Sequence, residues 1–246
     1  GNTSGTARVA SVIGTAIHRP AASQSAVGAL ASLLETLQNF TMKPCSPSSE
    51  RNQVPILEVL RLHFASARRV LEIGSGTGQH AVYFAQTLPS VVWQTSDVES
   101  ALPGIRMWLD EAALPNLPPP LVLDVNGDWP QTRFDAAFTA NTLHIMGWPE
   151  VQKFFAGLDR VLEPQAMLAI YGPFNYGGKF TSDSNRVFDE WLKRQSPVSG
   201  VRDFEAVDAL AKAVHFDLVD DHAKPANNRL LVWARRPTAT PPQAQA

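Results

Sequence analysis

The residues with the clearest chemical content are Glu72, Gly74, Gly76 and Gly78, two apart in Val70-Leu71-Glu72-Ile73-Gly74-Ser75-Gly76-Thr77-Gly78-Gln79-His80. Alternate glycines let a loop turn tightly and let a ligand lie against bare backbone. The apolar run Val70 to Ile73 reads as a buried parallel strand, and Gln79 to Leu88 has helical spacing. The loop therefore closes onto a helix start, whose free N–H groups suit a carboxylate or phosphate. Its spacing differs from the G-x-G-x-x-G of dinucleotide folds. Asp97 follows Gly78 by 19 residues, with Val98 beside it. An acidic residue at the tip of a second strand accepts from ribose hydroxyls. Asp124, near the end of Leu121–Val125, is placed to accept from an adenine amino group, with Val125 packing beside the ring. Together these residues point to a nucleoside-bearing ligand.

A second set concerns the acceptor side. His144, in Asn141-Thr142-Leu143-His144-Ile145-Met146, is the one group near that strand tip that titrates close to neutrality. It reads as a general base toward oxygen or nitrogen, or as a hydrogen-bonded structural histidine. Arg51 and Asn52 read either as a polar helix start or as overhanging the cofactor pocket and touching substrate, and Tyr171, Arg202, Asn227 and Asn228 fall on loops or strand tips at the same end. Each could contact substrate or satisfy turn backbone. His80 reads as orienting or structural, and Trp129 as core. His63, His215 and His222 show no metal-ligand spacing, so no metal is expected.

Positioning these groups requires alternating strands and helices. Ser48 to Asn52 starts a helix with Pro55 in its first turn. Strands are expected over Val70–Ile73, Val91–Thr95, Leu121–Val125, Phe134–Ala140 and Ala166–Ile170. The helices between and after them cover Ile105–Ala113, Trp148–Leu162, Val187–Leu192 and Phe204–Val214. Phe216–Val219 and Arg229–Ala234, joined by Pro225-Ala226-Asn227-Asn228, suit a closing antiparallel hairpin.

Composition narrows the classes. The 246 residues suffice for one sizeable core, and a formal net charge of −2 argues against a broad nucleic-acid footprint. Arg68-Arg69 and Arg235-Arg236 read as solvated strand flanks. No apolar run is long enough to span a membrane. One cysteine, Cys45, excludes an intramolecular disulfide and suits a reducing cytoplasm. Residues 1–45 read as an extension, with Gly1 suggesting a tag scar, Met42 a natural start, and Val27, Leu30, Leu34 and Leu37 one helical face. Residues 46–236 form the domain, and residues 237–246 a disordered Pro, Thr, Ala and Gln tail.

Glu72 with Gly74, Gly76 and Gly78 resembles the first motif of the class I S-adenosylmethionine (SAM) dependent methyltransferases. Further motifs resemble a methyltransferase-like branch known as a domain of unknown function. These are Glu50-Arg51-Asn52, Ser96-Asp97, Leu123-Asp124-Val125, Asn141 with His144, Tyr171-Gly172-Pro173-Phe174, Ser184-Asn185, Arg202-Asp203 and Pro225–Asn228. Thr95 departs from that pattern, where proline is expected. The resemblance covers about Ser46 to Arg236. It implies an α/β, Rossmann-like class I methyltransferase fold: a seven-stranded, mostly parallel sheet with an antiparallel last strand and helices on both faces. It also implies SAM held by Glu72, Gly74, Ser75, Gly76, Thr77, Gly78, Asp97, Val98, Asp124, Val125 and Asn141.

The expected activity is methyl transfer to an unidentified acceptor. Cys45 lies outside the motif region, which argues against cytosine C5 chemistry. Asn141-Thr142-Leu143-His144 is not the Asn/Asp-Pro-Pro-aromatic tetrad of base amino methylation. A small molecule is favoured over nucleic acid. The rival is a SAM-binding sensor or scaffold without turnover. A nicotinamide oxidoreductase would require the glycine spacing to mislead.

Overall fold

The computed structural model describes residues 42–237. Helix α1 (Pro47–His63) opens the domain, with Ser46 as N-cap: its hydroxyl accepts from Ser49 N at 3.3 Å. Pro47 occupies the first turn, where its missing N–H costs nothing. Pro55 lies in the helix interior, not the first turn as expected. Its ring leaves no N–H for the carbonyl of Arg51, one turn back.

Strands β1 (Arg69–Ile73) and β2 (Val92–Asp97) flank helix α2 (Gln79–Thr87). Helix α3 (Leu102–Ala112) leads to the short β3 (Leu121–Val122), then β4 (Phe134–Ala140), α4 (Trp148–Val161) and β5 (Leu162–Gly172). A two-stranded parallel pair, β6 (Phe174–Asn175) with β7 (Arg202–Asp203), encloses α5 (Asp183–Gln195). Helix α6 (Phe204–Ala213) precedes β8 (Phe216–Lys224) and β9 (Asn228–Arg235). The main sheet runs β3-β2-β1-β4-β5-β9-β8, parallel throughout except for β9, which is antiparallel to both neighbours. The strand order reverses between β1 and β4, so the crevice where ligands bind in such sheets opens at Gly74 and Asn141.

Alternation along the central strands divides the core. Val70, Ala136, Phe138, Ala169 and Val232 face α1 and α2, with Ile56, Leu60 and Phe84. Leu71, Ala137, Leu168, Ile170 and Trp233 face α4 and α6, with Phe154, Leu158 and Val207. Trp129 joins that second layer, packed against Gly157, where a Cβ would come 1.9 Å from the indole.

Several expectations need correction. The third strand ends at Val122, because the Asp124 carboxylate turns the chain by accepting from Asn126 N at 2.8 Å. Strand β5 starts four residues earlier than Ala166, its polar Glu163-Pro164-Gln165 stretch hiding the pattern. Strand β8 continues to Lys224, not Val219. Its register shifts between Leu218, opposite Trp233, and Asp220, opposite Val232, leaving Val219 as a bulge. Arg235 is buried rather than solvated, donating to Leu162 O at 2.6 Å and to the Asp159 carboxylate. The N-terminal helix and the tail expected from sequence lie outside the described residues. Among those described, no helix is long and apolar enough to cross a membrane.

Candidate functional site

The glycine loop is shaped by backbone that side chains tolerate poorly. Gly74 has φ +71°, and a Cβ there would meet Thr142 Oγ1 at 2.7 Å. Gly76 has φ +59° and faces open space, so a ligand can approach its backbone. Asp97 Oδ2 accepts from Gly76 N at 2.8 Å, and Oδ1 from Val98 N at 2.8 Å. The acidic strand tip thus holds the loop as well as facing the crevice. Asn141, at the tip of β4, takes φ +57°, a left-handed conformation that asparagine tolerates better than most residues.

These tips line a cavity of about 560 Å³. Of the predicted nucleoside-side residues, Gly74, Ser75, Gly76, Thr77, Asp97, Val98, Asp124, Val125 and Asn141 reach it. Glu72 and Gly78 do not. Glu72, expected near a ligand's ammonium end, is buried behind the loop, its Oε2 accepting from Trp93 Nε1 at 2.9 Å. Burial pushes its carboxyl up to about 8 against the opposing Trp93 and Ser75 hydrogen bonds, so it is mostly protonated at pH 7. Gly78 instead caps α2 from the left-handed region, against Ile105.

A second cavity of about 600 Å³ adjoins the first, the two sharing Ser48, Asn141 and Ile145. Arg51, Asn52, His144, Tyr171 and Asn228 line it, so Arg51 and Asn52 border this cavity and not the glycine-loop cavity they were expected to overhang. Phe188, Ser184, Asn185, Pro173, Pro225 and Ala226 complete most of the wall. Burial pushes the Tyr171 phenol above its usual range, with Asn52, Asn228 and Arg51 opposing. His144 packs edge-on against Phe188 at 5.3 Å between ring centres. Burial, then the Arg202 charge, lowers its pKa to about 4, so it is a neutral and weakly basic ring at pH 7.

Arg202 and Asn227 line neither cavity. The Arg202 guanidinium donates to the carbonyls of Leu143 at 3.1 Å, Val198 at 3.0 Å and Met146, gathering the loop that carries His144. Asn227 Nδ2 donates to Ser184 Oγ at 3.0 Å, tying the β8–β9 turn to α5. His80 Nε2 lies 2.6 Å from Asn52 Oδ1, and burial lowers its pKa to about 4. A neutral His80 thus links α2 to α1.

Sequence reasoning found the α1 start but missed its place in the wall of the first cavity. Ser46, Ser48 and Ser49 line the first cavity, and Gln79 Oε1 accepts from both Ser46 N and Thr77 Oγ1. The serine-rich 46–49 segment was the available signal, readable only as a helix start. Phe188 was legible as part of an amphipathic helix but not as cavity wall.

Residues 43–235 match the family model described as "Protein of unknown function (DUF938)". The chain belongs to this family. The DUF938 domain also superposes on solved methyltransferases. An O-methyltransferase family protein from Burkholderia thailandensis is 14% identical with a TM-score of 0.66, covering 87% of this chain and 63% of its own. The SAM-dependent methyltransferase SibL, solved in its apo form, is 18% identical at a TM-score of 0.66, covering 87% and 70%. An O-methyltransferase family 2 protein from Planctomyces limnophilus, in complex with apigenin, is 15% identical at a TM-score of 0.62, covering 68% and 51%. The DUF938 chain therefore spans under two thirds of the Burkholderia protein. At these identities the likeness establishes a Rossmann-like methyltransferase fold.

Proposed function

We propose that this protein is a SAM-dependent methyltransferase acting on a small acceptor through an oxygen or nitrogen nucleophile. The observation that carries the reading is the pair of adjoining cavities, one bordered by the glycine loop and Asp97, the other by Tyr171 and His144, with Asn141 between them. The residues present fit the cofactor: open backbone at Gly76, a carboxylate at Asp97 and another at Asp124. When bound, SAM supplies an electrophilic methyl group and leaves as S-adenosylhomocysteine.

The chain's own residues bind, orient and exclude water. Asp97 accepts from the ribose hydroxyls, and Asp124 from the adenine amino group. The loop around Ser75 to Thr77 and the start of α2 receive the carboxylate. Asn141, at the border, orients the two occupants relative to each other. Asn52, Tyr171 and Asn228 offer hydrogen bonds to the acceptor, and Arg51 offers positive charge. With its pKa near 4, His144 orients the acceptor as a hydrogen-bond partner and is too weak a base to hold its proton at neutral pH. Acceptors that need no strong base are therefore favoured: a phenol that ionises by itself, or a neutral amine that attacks through its lone pair and then releases its proton to solvent. The apigenin held by the Planctomyces neighbour supports a small-molecule acceptor.

Thermal unfolding with SAM, S-adenosylhomocysteine and NADH tests the cofactor assignment. A ligand at a hundredfold excess over Kd stabilises by about 2.7 kcal/mol. A rise in melting temperature with the first two and none with NADH is expected. No rise with either sulfur compound would overturn the proposal. Screening phenols and amines for S-adenosylhomocysteine release then separates an enzyme from a binding protein without turnover.

A further inference from the structure

Outside both cavities, His63, Asp220 and His222 bring three ligand-type atoms within 4.8 Å of one another. His63 ends α1, while Asp220 and His222 lie two apart on β8. The bulge at Val219 makes the grouping possible. Phe216 and Leu218 belong to the α4/α6 side of the sheet. The extra residue shifts the alternation, so Asp220 and His222 stand opposite Val232 and Leu230, which face α1. Bulges commonly serve to re-aim side chains in this way.

Two of the three separations are near those of a small tetrahedral ion, and the third is within 4.8 Å. His63 Nε2 lies 3.3 Å from Asp220 Oδ2, and His222 Nε2 lies 2.9 Å from the same oxygen. Ligand atoms about 2.0–2.1 Å from a tetrahedral zinc stand about 3.3 Å from one another. A purely hydrogen-bonded triad accounts for less. His63 makes a hydrogen bond to Asp220, but His222 Nε2 is off the hydrogen-bond direction despite its proximity. It is a buried nitrogen with no hydrogen-bond partner. Such a group costs stability unless something satisfies it.

We propose that His63, Asp220 and His222 form a binding site for a divalent transition-metal ion, best suited to zinc, that fastens the end of α1 to β8. Two imidazoles with one carboxylate favour zinc or its neighbours over calcium and magnesium, which take oxygen ligands. The three side chains are half-buried, leaving access for a water as fourth ligand. The end of α1 also suits a cation, since helix carbonyls concentrate negative potential there. Neighbouring cations are engaged elsewhere: Lys224 Nζ donates to Pro55 O at 2.7 Å, eight residues before His63, or about 12 Å along the helix, and Arg229 Nε donates to Asp221 Oδ1 at 2.7 Å. The opposite end of α1 contributes Ser48, Arg51 and Asn52 to the cavities. The ion would therefore anchor the helix that overhangs the proposed active site, although the binding itself is independent of that function.

The test is titration of the full chain, free of any polyhistidine tag, with Co²⁺ followed by visible absorption and with Zn²⁺ in competition with a chromophoric chelator. Wild type should bind one ion per chain, show the absorption of a tetrahedral cobalt site, and release cobalt to zinc. His63→Gln, Asp220→Asn and His222→Gln should each weaken binding by at least the roughly 10–100-fold that loss of a supporting hydrogen-bond partner costs. His215→Gln, outside the cluster, should bind as wild type. Zinc should raise the melting temperature of wild type, reversibly with EDTA, and not that of the cluster variants, whose folding is checked by circular dichroism. Absence of binding by wild type, wild-type affinity in the cluster variants, or equal loss in His215→Gln would overturn the proposal.

Discussion

Asp97 and Gly76 are joined by a 2.8 Å hydrogen bond in which the carboxylate accepts the backbone N–H of the glycine loop. Its other oxygen accepts from Val98 N, so one side chain sets the loop that would carry the cofactor and offers it an acceptor. Hydrogen bonds to a charged group contribute about 1.5–3 kcal/mol each. Asp97→Ala is therefore expected to weaken S-adenosylhomocysteine binding by about tenfold to a hundredfold, measured calorimetrically. Asp97→Asn, which keeps one acceptor, should lose less. Unchanged affinity in the alanine variant would remove Asp97 from the site.

Three buried groups shape the pH dependence of stability. Glu72 rises from 4.5 to about 8 on folding through burial, while burial lowers His80 and His144 from 6.5 to about 4. Between about 4.5 and 6.5 the unfolded chain takes up protons on two histidines and the native state on one glutamate, so stability rises with pH. Above 6.5 only Glu72 differs, the native state binds more protons, and stability falls toward pH 8. Denaturant unfolding across pH 4–9 should show a maximum near 6.5. Glu72→Gln should flatten the alkaline fall, gaining on the order of a few kcal/mol at pH 8 and much less at pH 5. An equal effect at both values would contradict a protonated Glu72.

His144 should leave no inflection near pH 6.5 in the rate of methyl transfer, because burial and Arg202 keep it neutral down to about pH 4. Arg202→Met should move the His144 titration upward, observable by NMR of the imidazole. An inflection at pH 6–7 that disappears in His144→Gln would restore the histidine as general base.

Gly157→Ala pits helix propensity against packing. Alanine gains about 1 kcal/mol over glycine inside a helix. Its Cβ, however, would stand 1.9 Å from Trp129 Cε2, a separation that forces the indole to move. Overpacking of this kind costs about 1–3 kcal/mol or more, so a net loss in urea-unfolding stability is expected. A stabilised variant would mean that Trp129 relaxes freely.

By itself the sequence determined the order of elements and the crevice. Strand, glycine loop and helix around Gly74 to Gly78, with acidic tips at Asp97 and Asp124, are local patterns set by alternation, helical spacing and turn chemistry. The same patterns reach the closing hairpin, because the runs Phe216–Val219 and Arg229–Ala234 lie on either side of Pro225–Asn228. What only tertiary structure decided are relations between distant residues. Arg202 resembled a substrate ligand, yet its donors are taken by the carbonyls of Leu143, Met146 and Val198. Glu72 looked available, yet Trp93 claims it within the core. His63 and Asp220 are 157 residues apart. Their meeting with His222 depends on a single bulged residue, Val219, which reverses the side-chain alternation of β8. Local periodicity reports which face a residue occupies only while the register is regular. One inserted residue changes that face, and no spacing in the sequence records what the folded chain then places beside it.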